Sequence, residues 1–178
     1  MEKQQDRYRI RKEFREWAVS IAAAVIIALL FQKYAFAQTE VRMNSMQNTL
    51  MQGQRLIENK FLYWFSEPRK GDIVIINGKE SDKRLVKRII GVSGDLIDIR
   101  DGSVFLNGHK VQESFVKGRT LNNGMQVPFR VPDHKVFVMG DNREASMDSR
   151  TLGPIDLKSI EGKVVFRIWP LSEFGAVE

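Results

Sequence analysis

Residues 17–31 read WAVSIAAAVIIALLF, a run without one charged side chain. A helix that is apolar all round cannot lie on the surface of a water-soluble domain; it needs lipid or a core on every face. Lys33 interrupts the run, and Tyr34-Ala35-Phe36-Ala37 extend it to about the twenty residues that a bilayer span requires. A lysine near the end of a span can snorkel to the headgroups, and Trp17 and Tyr34 stand where interfacial aromatics belong. Lys3, Arg7, Arg9, Arg11, Lys12 and Arg15 all precede the run. The positive-inside rule therefore keeps residues 1–16 in the cytoplasm, makes 17–37 a transmembrane anchor and puts 38–178 outside. A cleavable signal peptide is the competing reading, with Ala35-Phe36-Ala37 as its small-x-small site. Its basic segment would be unusual, because it also holds Glu2, Asp6, Glu13 and Glu16. A buried core helix fits poorly, since a strand-rich pattern follows directly.

Beyond the anchor the charge is nearly balanced, with 21 basic and 18 acidic residues from Gln38 onward. A nucleic-acid partner is not expected from that distribution. The chain has no Cys, which excludes disulfides, thiol catalysis and Cys-ligated zinc. Neither GxxxxGK[ST] nor GxGxxG occurs, so the common nucleotide loops are absent. His109 follows a turn and His134 sits in a Pro-Asp-His loop. Neither has a second ligand at metal spacing, so both read as surface residues.

After residue 70 the pattern is β. Short runs rich in branched residues cover 72–76, 85–92, 96–99, 104–107 with 110–112, 135–139 and 163–169, with Gly78, Gly94 and Gly102 as punctuation. Asn107-Gly108 predicts a tight hairpin, because a type I′ turn needs positive φ at both central residues. Residues 113–134 are polar and broken by Gly and Pro, which predicts a protruding loop or ribbon. Residues 156–160 carry a weak helical pattern. The expected fold is mainly β, an antiparallel sheet domain tethered by one N-terminal transmembrane helix. Closely spaced strands leave no room for βαβ units.

Within this pattern RLVKRIIGV is the anomaly. Strand alternation places Leu85, Lys87 and Ile89 on one face and Val86, Arg88 and Ile90 on the other. Both faces are otherwise apolar, so at least one cation must be partly buried. Burial disfavours the ammonium and lowers a lysine pKa, whereas arginine stays charged and needs a carboxylate. A neutral buried lysine is a general base, and a serine is the nucleophile it could activate. An edge strand with both cations snorkelling outward is the equal alternative. Ser45, in VRMNSMQNTL, means little alone. GDNREASMDSR (140–150) is dense in opposite charges beside the apolar strand KVFVM, which suggests a bonded network rather than a plain surface turn.

Together these segments resemble the type I signal peptidases, membrane-anchored Ser/Lys endopeptidases, over nearly the whole chain. Ser45-Met46 with Thr49-Leu50 is similar to the nucleophile box SMxPTL, and Lys70-Gly71-Asp72-Ile73-Val74 to the strand that follows. Lys87-Arg88-Ile89-Ile90-Gly91 with Gly94-Asp95 resembles the lysine box, and 140–150 the last box. The single anchor and short middle region are closest to Gram-positive members.

The resemblance implies Ser45 as nucleophile and Lys87 as general base. It places Ser146 against the lysine amine, pairs Asp141 with Arg88, and gives Asp148 and Arg150 a bracing part. It makes the Ser45 backbone N–H an oxyanion donor and lines apolar substrate pockets with Met46, Leu50, Leu85 and Val86. The implied partners are exported preproteins, membrane lipid and the secretion translocon; neither cofactor nor metal is implied. Asn48 and Ser93 stand where the family has Pro, and Met43 where Ser or Gly is common, which suggests altered scaffolding and a narrowed substrate choice. Two other functions are compatible with the pattern. One is a non-catalytic, signal-peptidase-like chaperone or assembly factor for surface proteins such as pili. The other is a self-cleaving repressor relative, disfavoured by the N-terminal apolar run.

Overall fold

The computed structural model describes residues 2–78 and 84–177, and in the N-terminal helix the side chains of 12–29 and Ala35. The chain divides into two compact units, 1–36 and 37–178. The first is helix α1, Glu2–Ala35. Trp17, Val19, Ile21, Val25, Ile26, Ile27 and Leu29 are all exposed along it, on every side of the helix. Lys12, Glu13, Arg15 and Glu16 stand directly before Trp17, with Lys12 and Glu16 4.0 Å apart. Among the described residues no helix is long and apolar enough to cross a membrane. The side chains of Lys33, Tyr34 and the basic residues from Lys3 to Arg11, expected at or below a membrane surface, lie outside the described residues. The helix also stops short of the expected boundary: it ends at Ala35, and Phe36 and Ala37 already belong to a strand.

The second unit is built from antiparallel strands. They are β1 (Phe36–Glu40), β2 (Arg55–Asn59), β3 (Ile73–Asn77), β4 (Arg84–Gly91), β5 (Leu96–Arg100), β6 (Ser103–Leu106), β7 (His109–Lys110), β8 (Phe129–Arg130), β9 (Lys135–Met139), β10 (Ile155–Asp156), β11 (Ile160–Trp169) and β12 (Gly175–Ala176). Among the described residues the large sheet has the order β1-β2-β11-β3-β4-β9-β10, with β12 on β11, and a smaller one runs β7-β6-β5-β8. The large sheet buries both faces. Val41, Met46, Leu50, Leu56, Ile73, Ile75 and Val164 form one core; Val74, Ile76, Ile89, Val136 and Val138 form the other. Alternation along β3 sends Ile73 and Ile75 one way and Val74 and Ile76 the other, which is why the strand reads as an unbroken apolar run. A third cluster, with Ile90, Ile97, Val104 and Phe137, joins the sheets.

Asn107 (φ 52°) and Gly108 (φ 85°) form the expected hairpin turn between β6 and β7. Three expectations need correction. β2 was not foreseen, because RLIEN carries two charges in five residues and its Glu58 is buried on an ion pair rather than exposed. Residues 157–159 make a single 3₁₀ turn rather than an α-helix, flanked by strand on both sides. Residues 113–134 do not simply protrude. Thr120 and Val131 are buried, Glu113 pairs with Arg143, and Phe115 packs its ring 4.0 Å from the Arg88 guanidinium. The segment folds back because buried cations on other elements need its carboxylate and its ring.

Candidate active site

The β3–β4 register sets Ile73 opposite Arg88 and Val74 opposite Lys87, so the adjacent cations stand on opposite faces of β4. β9 pairs with β4 only as far as Met139 opposite Arg88. Past that point the chain turns away at Gly140, and the loop carrying Ser45 lies against it. A Cβ at Gly140 would collide with the Ser45 carbonyl oxygen and would sit 2.6 Å from Ser146 Cβ. Only glycine permits this approach.

Lys87 is 1% exposed and Ser45 6%. Lys87 Nζ lies 2.7 Å from Ser45 Oγ, with a second bond to the Val86 carbonyl at 3.1 Å. Burial is the main reason that the Lys87 pKa is lowered from 10.5 to about 8; the carboxylates of Asp148 and Asp141 pull it back up in part, and Arg150 lowers it further. In the ammonium form Nζ–H donates to the serine. As a free amine the same geometry lets the hydroxyl donate to nitrogen, which is the arrangement a general base needs.

Arg88 solves its burial by full pairing. Its Nε and Nη2 donate to the two Asp141 oxygens at 3.0 and 2.9 Å, its Nη1 donates to the Gly71 carbonyl at 3.1 Å, and Phe115 covers its face. Thr49 Oγ1 donates to Asp141 Oδ2 at 2.5 Å, which ties the end of the Ser45 loop into this pair. Asn142 pins the loop's start: its backbone N–H donates to Ser45 O at 3.0 Å and its Nδ2 to Asn44 O at 3.1 Å. Sequence reasoning passed over Thr49 and Asn142 as binders of the loop. Both lie inside the boxes, but a short polar side chain carries no periodic signal.

Asp148 and Arg150 form a second buried bidentate pair, with Nε to Oδ1 and Nη2 to Oδ2 both at 2.9 Å. Asp148 also accepts from Gly140 N at 3.0 Å and caps the short helix α2 (Ser149–Leu152). Burial alone would raise the Asp148 pKa, but the bonds and charge of Arg150 and the Gly140 N–H hold it below its ordinary value. Arg150 reaches on to the carbonyls of Arg143 and Leu121 at 2.7 and 3.2 Å. Ser146 Oγ is buried between these groups, close enough to Asp148 to help lower its pKa, and the expected bond to the Lys87 amine is not made among the described residues. Its hydroxyl is left able to take one.

A cleft of about 850 Å³ opens beside Ser45 between β1 and β4. Of the four residues expected to line substrate pockets, it takes Met46 and Val86. Leu50 is wholly buried beneath it in the core, and Leu85 packs on the opposite face among Val74, Ile76 and Ile89. The reason is alternation: Leu85 and Val86 are neighbours and cannot share a face. Met43, 41% exposed, stands on the rim. Ser93, in the place of the family's Pro, bonds through Oγ to the Pro132 carbonyl at 3.1 Å, and Asp95 accepts from Val92 N at 2.9 Å, so the turn is closed by side chains instead. His109 and His134 are exposed, and no group of three metal-ligating side chains occurs among the described residues.

Residues 14–169 match the family model described as signal peptidase, peptidase S26. The chain belongs to this family. It is 40% identical to signal peptidase I of Bacillus licheniformis over 89% of this chain and 90% of that one. Signal peptidase I S of Bacillus subtilis is 39% identical over 92% and 93%, and signal peptidase IB of Staphylococcus aureus 35% identical over 93% and 94%. Membership makes the chain a serine-peptidase hydrolase by family, and the Ser/Lys contact lies at the centre of the matched region.

Proposed function

We propose that this chain is a signal peptidase I, a Ser/Lys endopeptidase that removes N-terminal signal peptides from exported preproteins after small residues. The observation that carries the reading is the 2.7 Å approach of a buried Lys87 amine to Ser45 Oγ. Neutral Lys87 takes the hydroxyl proton as Ser45 Oγ attacks the scissile carbonyl. The resulting Lys87 ammonium then protonates the leaving nitrogen and, once neutral again, activates the water that releases the acyl group. The Ser45 N–H supports the developing oxyanion. Ser146 offers its hydroxyl to the lysine. Arg88–Asp141 and Asp148–Arg150 act as positioning pairs, and Met46 and Val86 flank the residue before the cut.

We assign residues 17–37 as a single membrane anchor with the basic segment 1–16 in the cytoplasm and 38–178 outside. What supports this is the exposed apolar surface from Trp17 to Leu29 and the basic residues before it. Membrane lipid and the translocon that delivers preproteins are then the neighbours in place. The assembly-factor reading gains no observation of its own, since both dyad groups are present and in contact.

The test is cleavage of a preprotein by the full chain in detergent, beside Ser45→Ala and Lys87→Ala. Wild type should cut after a small residue and both variants should be inactive while folded. Equal inactivity of all three proteins across several preproteins would refute the enzymatic reading.

A further inference from the structure

The loop that carries Ser45 rests on the backbone of residues 141–143, and that backbone has a second edge. Asn142 faces the loop, donating its N–H to Ser45 O at 3.0 Å and its Nδ2 to Asn44 O at 3.1 Å. Successive backbone groups point to opposite edges, so the residues on either side of Asn142 face the other way. There Asp141 O accepts from Lys117 N at 2.8 Å and Arg143 N donates to Lys117 O at 2.9 Å, a parallel bridge between Lys117 and Asn142. The segment 141–143 is thus bonded on one flank to the nucleophile loop and on the other to the strap 113–120. The strap is itself fastened at several points. Glu113 accepts from Arg143 Nη1 at 2.9 Å and also from its Nη2, and Thr120 Oγ1 accepts from Nη1 at 2.6 Å. The Arg143 side chain is fully buried, so its carboxylate cannot leave without stranding a charge. Phe115 lies over Arg88, the partner of Asp141. Gly118, at φ 81°, lets the strap run so close to the last box that a Cβ would lie 2.8 Å from Glu144 Cδ. From the middle of the strap the Lys117 side chain reaches the nucleophile loop directly, where Nζ donates to Gln47 Oε1 at 3.0 Å.

We propose that the strap 113–120 positions the nucleophile, with Lys117 as the positioning residue: its backbone braces Asn142 and its ammonium holds Gln47, two residues beyond Ser45. Backbone that is bonded along one edge alone opens readily. With the strap in place 141–143 is bonded along both edges, and the loop resting on it cannot drift from the 2.7 Å contact of Ser45 Oγ with Lys87 Nζ. A misplacement of about 1 Å at reacting groups costs about 10²-fold in rate, so a tie of this kind matters more to turnover than to folding. Lys117 is exposed, and its bond to Gln47 lies at the surface, where such a bond adds little to the stability of the fold. The inference rests on the signal-peptidase reading and adds to it a segment outside every box that carries the family resemblance.

The experiment measures kcat and KM on a preprotein for the full chain in detergent, as wild type, Lys117→Met, Lys117→Arg, Gln47→Met, the Lys117→Met/Gln47→Met pair and Gly118→Ala. Each protein is also melted, and amide exchange is followed at Asn142. Lys117→Met and Gln47→Met should each lower kcat about threefold and leave KM and the melting temperature in place. The double variant should fall no further than either single one, because both remove the same bond. Lys117→Arg can still donate to Gln47 and should recover most of the wild-type kcat. Gly118→Ala, which pushes the strap off Glu144 at a φ that L-residues disfavour, should lower kcat about tenfold. If Gly118→Ala melts low, the Lys117 and Gln47 variants carry the test alone. Wild-type kcat in Lys117→Met would overturn the inference, as would equal losses in Lys117→Met and Lys117→Arg, losses that multiply in the double variant, or a loss that comes with a lower melting temperature. If wild type cleaves no preprotein, the signal-peptidase reading fails. Exchange at the Asn142 N–H then still decides the strap: it should be faster in Lys117→Met and Gly118→Ala than in wild type, and an unchanged rate would overturn the inference.

Discussion

Gly140→Ala is the sharpest probe of the site, because it adds one methyl group and removes no polar atom. The new Cβ would overlap the Ser45 carbonyl oxygen and lie 2.6 Å from Ser146 Cβ, against flanking backbone that is bonded in place. To reach ordinary van der Waals separation the Ser45 loop must recede by about 1 Å. The loop is held there by Asn142 N to Ser45 O at 3.0 Å, and Lys87 Nζ is 2.7 Å from Ser45 Oγ. A retreat of that size takes the dyad contact past about 3.5 Å, beyond hydrogen bonding. A misplacement of about 1 Å at reacting groups costs about 10²-fold in rate, or about 2.7 kcal/mol of transition-state stabilisation. The assay is kcat and KM on a fluorogenic signal-peptide substrate, with melting followed in parallel. The expected result is a fall of about 10² in kcat, little change in KM and a small loss of stability. Activity within threefold of wild type at an unchanged melting temperature would refute the argument that this glycine sets the position of the nucleophile.

With Lys87 titrating at about 8, the neutral fraction grows from about one tenth at pH 7 to about nine tenths at pH 9. kcat/KM should rise about tenfold over that interval and then level off; a flat limb would exclude Lys87 as the base. Lys87→Met should abolish activity yet stabilise the fold at pH 7, by up to about 3 kcal/mol, because it removes a buried ammonium. The sign follows from the lowered pKa: between about 8 and 10.5 the unfolded chain binds the proton and the native one does not, so wild-type stability rises with pH across that window. The advantage of Lys87→Met over wild type, read from denaturant midpoints, should therefore shrink between pH 8 and 10.5, and a constant gap would contradict the shift. Asn142→Ala should lower kcat about tenfold by releasing Asn44 O while leaving the pH limb in place; a displaced limb would mean that Asn142 acts on the lysine instead.

Much of the site was readable because its logic is local. Two adjacent cations in an apolar strand point to burial of at least one of them, and the structure buries both, with Arg88 paired to Asp141 and Lys87 left with a lowered pKa. The nearby 140–150 segment shows its density of charge in eleven residues. The hairpin at Asn107-Gly108 was equally legible, since left-handed φ leaves a compositional mark. What escaped is what depends on distant partners. β2 hides because its Glu58 points inward, and only Arg84, twenty-six residues away, makes that tolerable. Leu50 and Leu85 were assigned to pockets that alternation and core depth deny them. The fold-back of 113–134 was missed for the same reason: Glu113 and Phe115 serve cations on other elements, and no local pattern announces such service.

The order Lys-Arg on β4 has a consequence for how the chain tolerates insertions and deletions. Leu85, Val86, Ile89 and Ile90 make both faces of the strand apolar, so hydrophobicity scarcely distinguishes one alignment of this strand from its one-residue neighbour. A slip one way would deliver a guanidinium to Ser45 and Ile89 to Asp141; a slip the other way would deliver Val86 to Ser45 and an ammonium to Asp141. Neither a guanidinium nor a valine can act as the base, and neither an isoleucine nor an ammonium can fill a bidentate site, so either slipped enzyme would be both dead and poorly paired. Gly91 adds a steric lock, since a Cβ there would meet Ile97 Cδ1 at 2.7 Å and only the correct frame presents glycine to that point. The reactive groups therefore serve as a key that reads the frame of the strand, and alignment errors too quiet for the core to detect are exposed by chemistry.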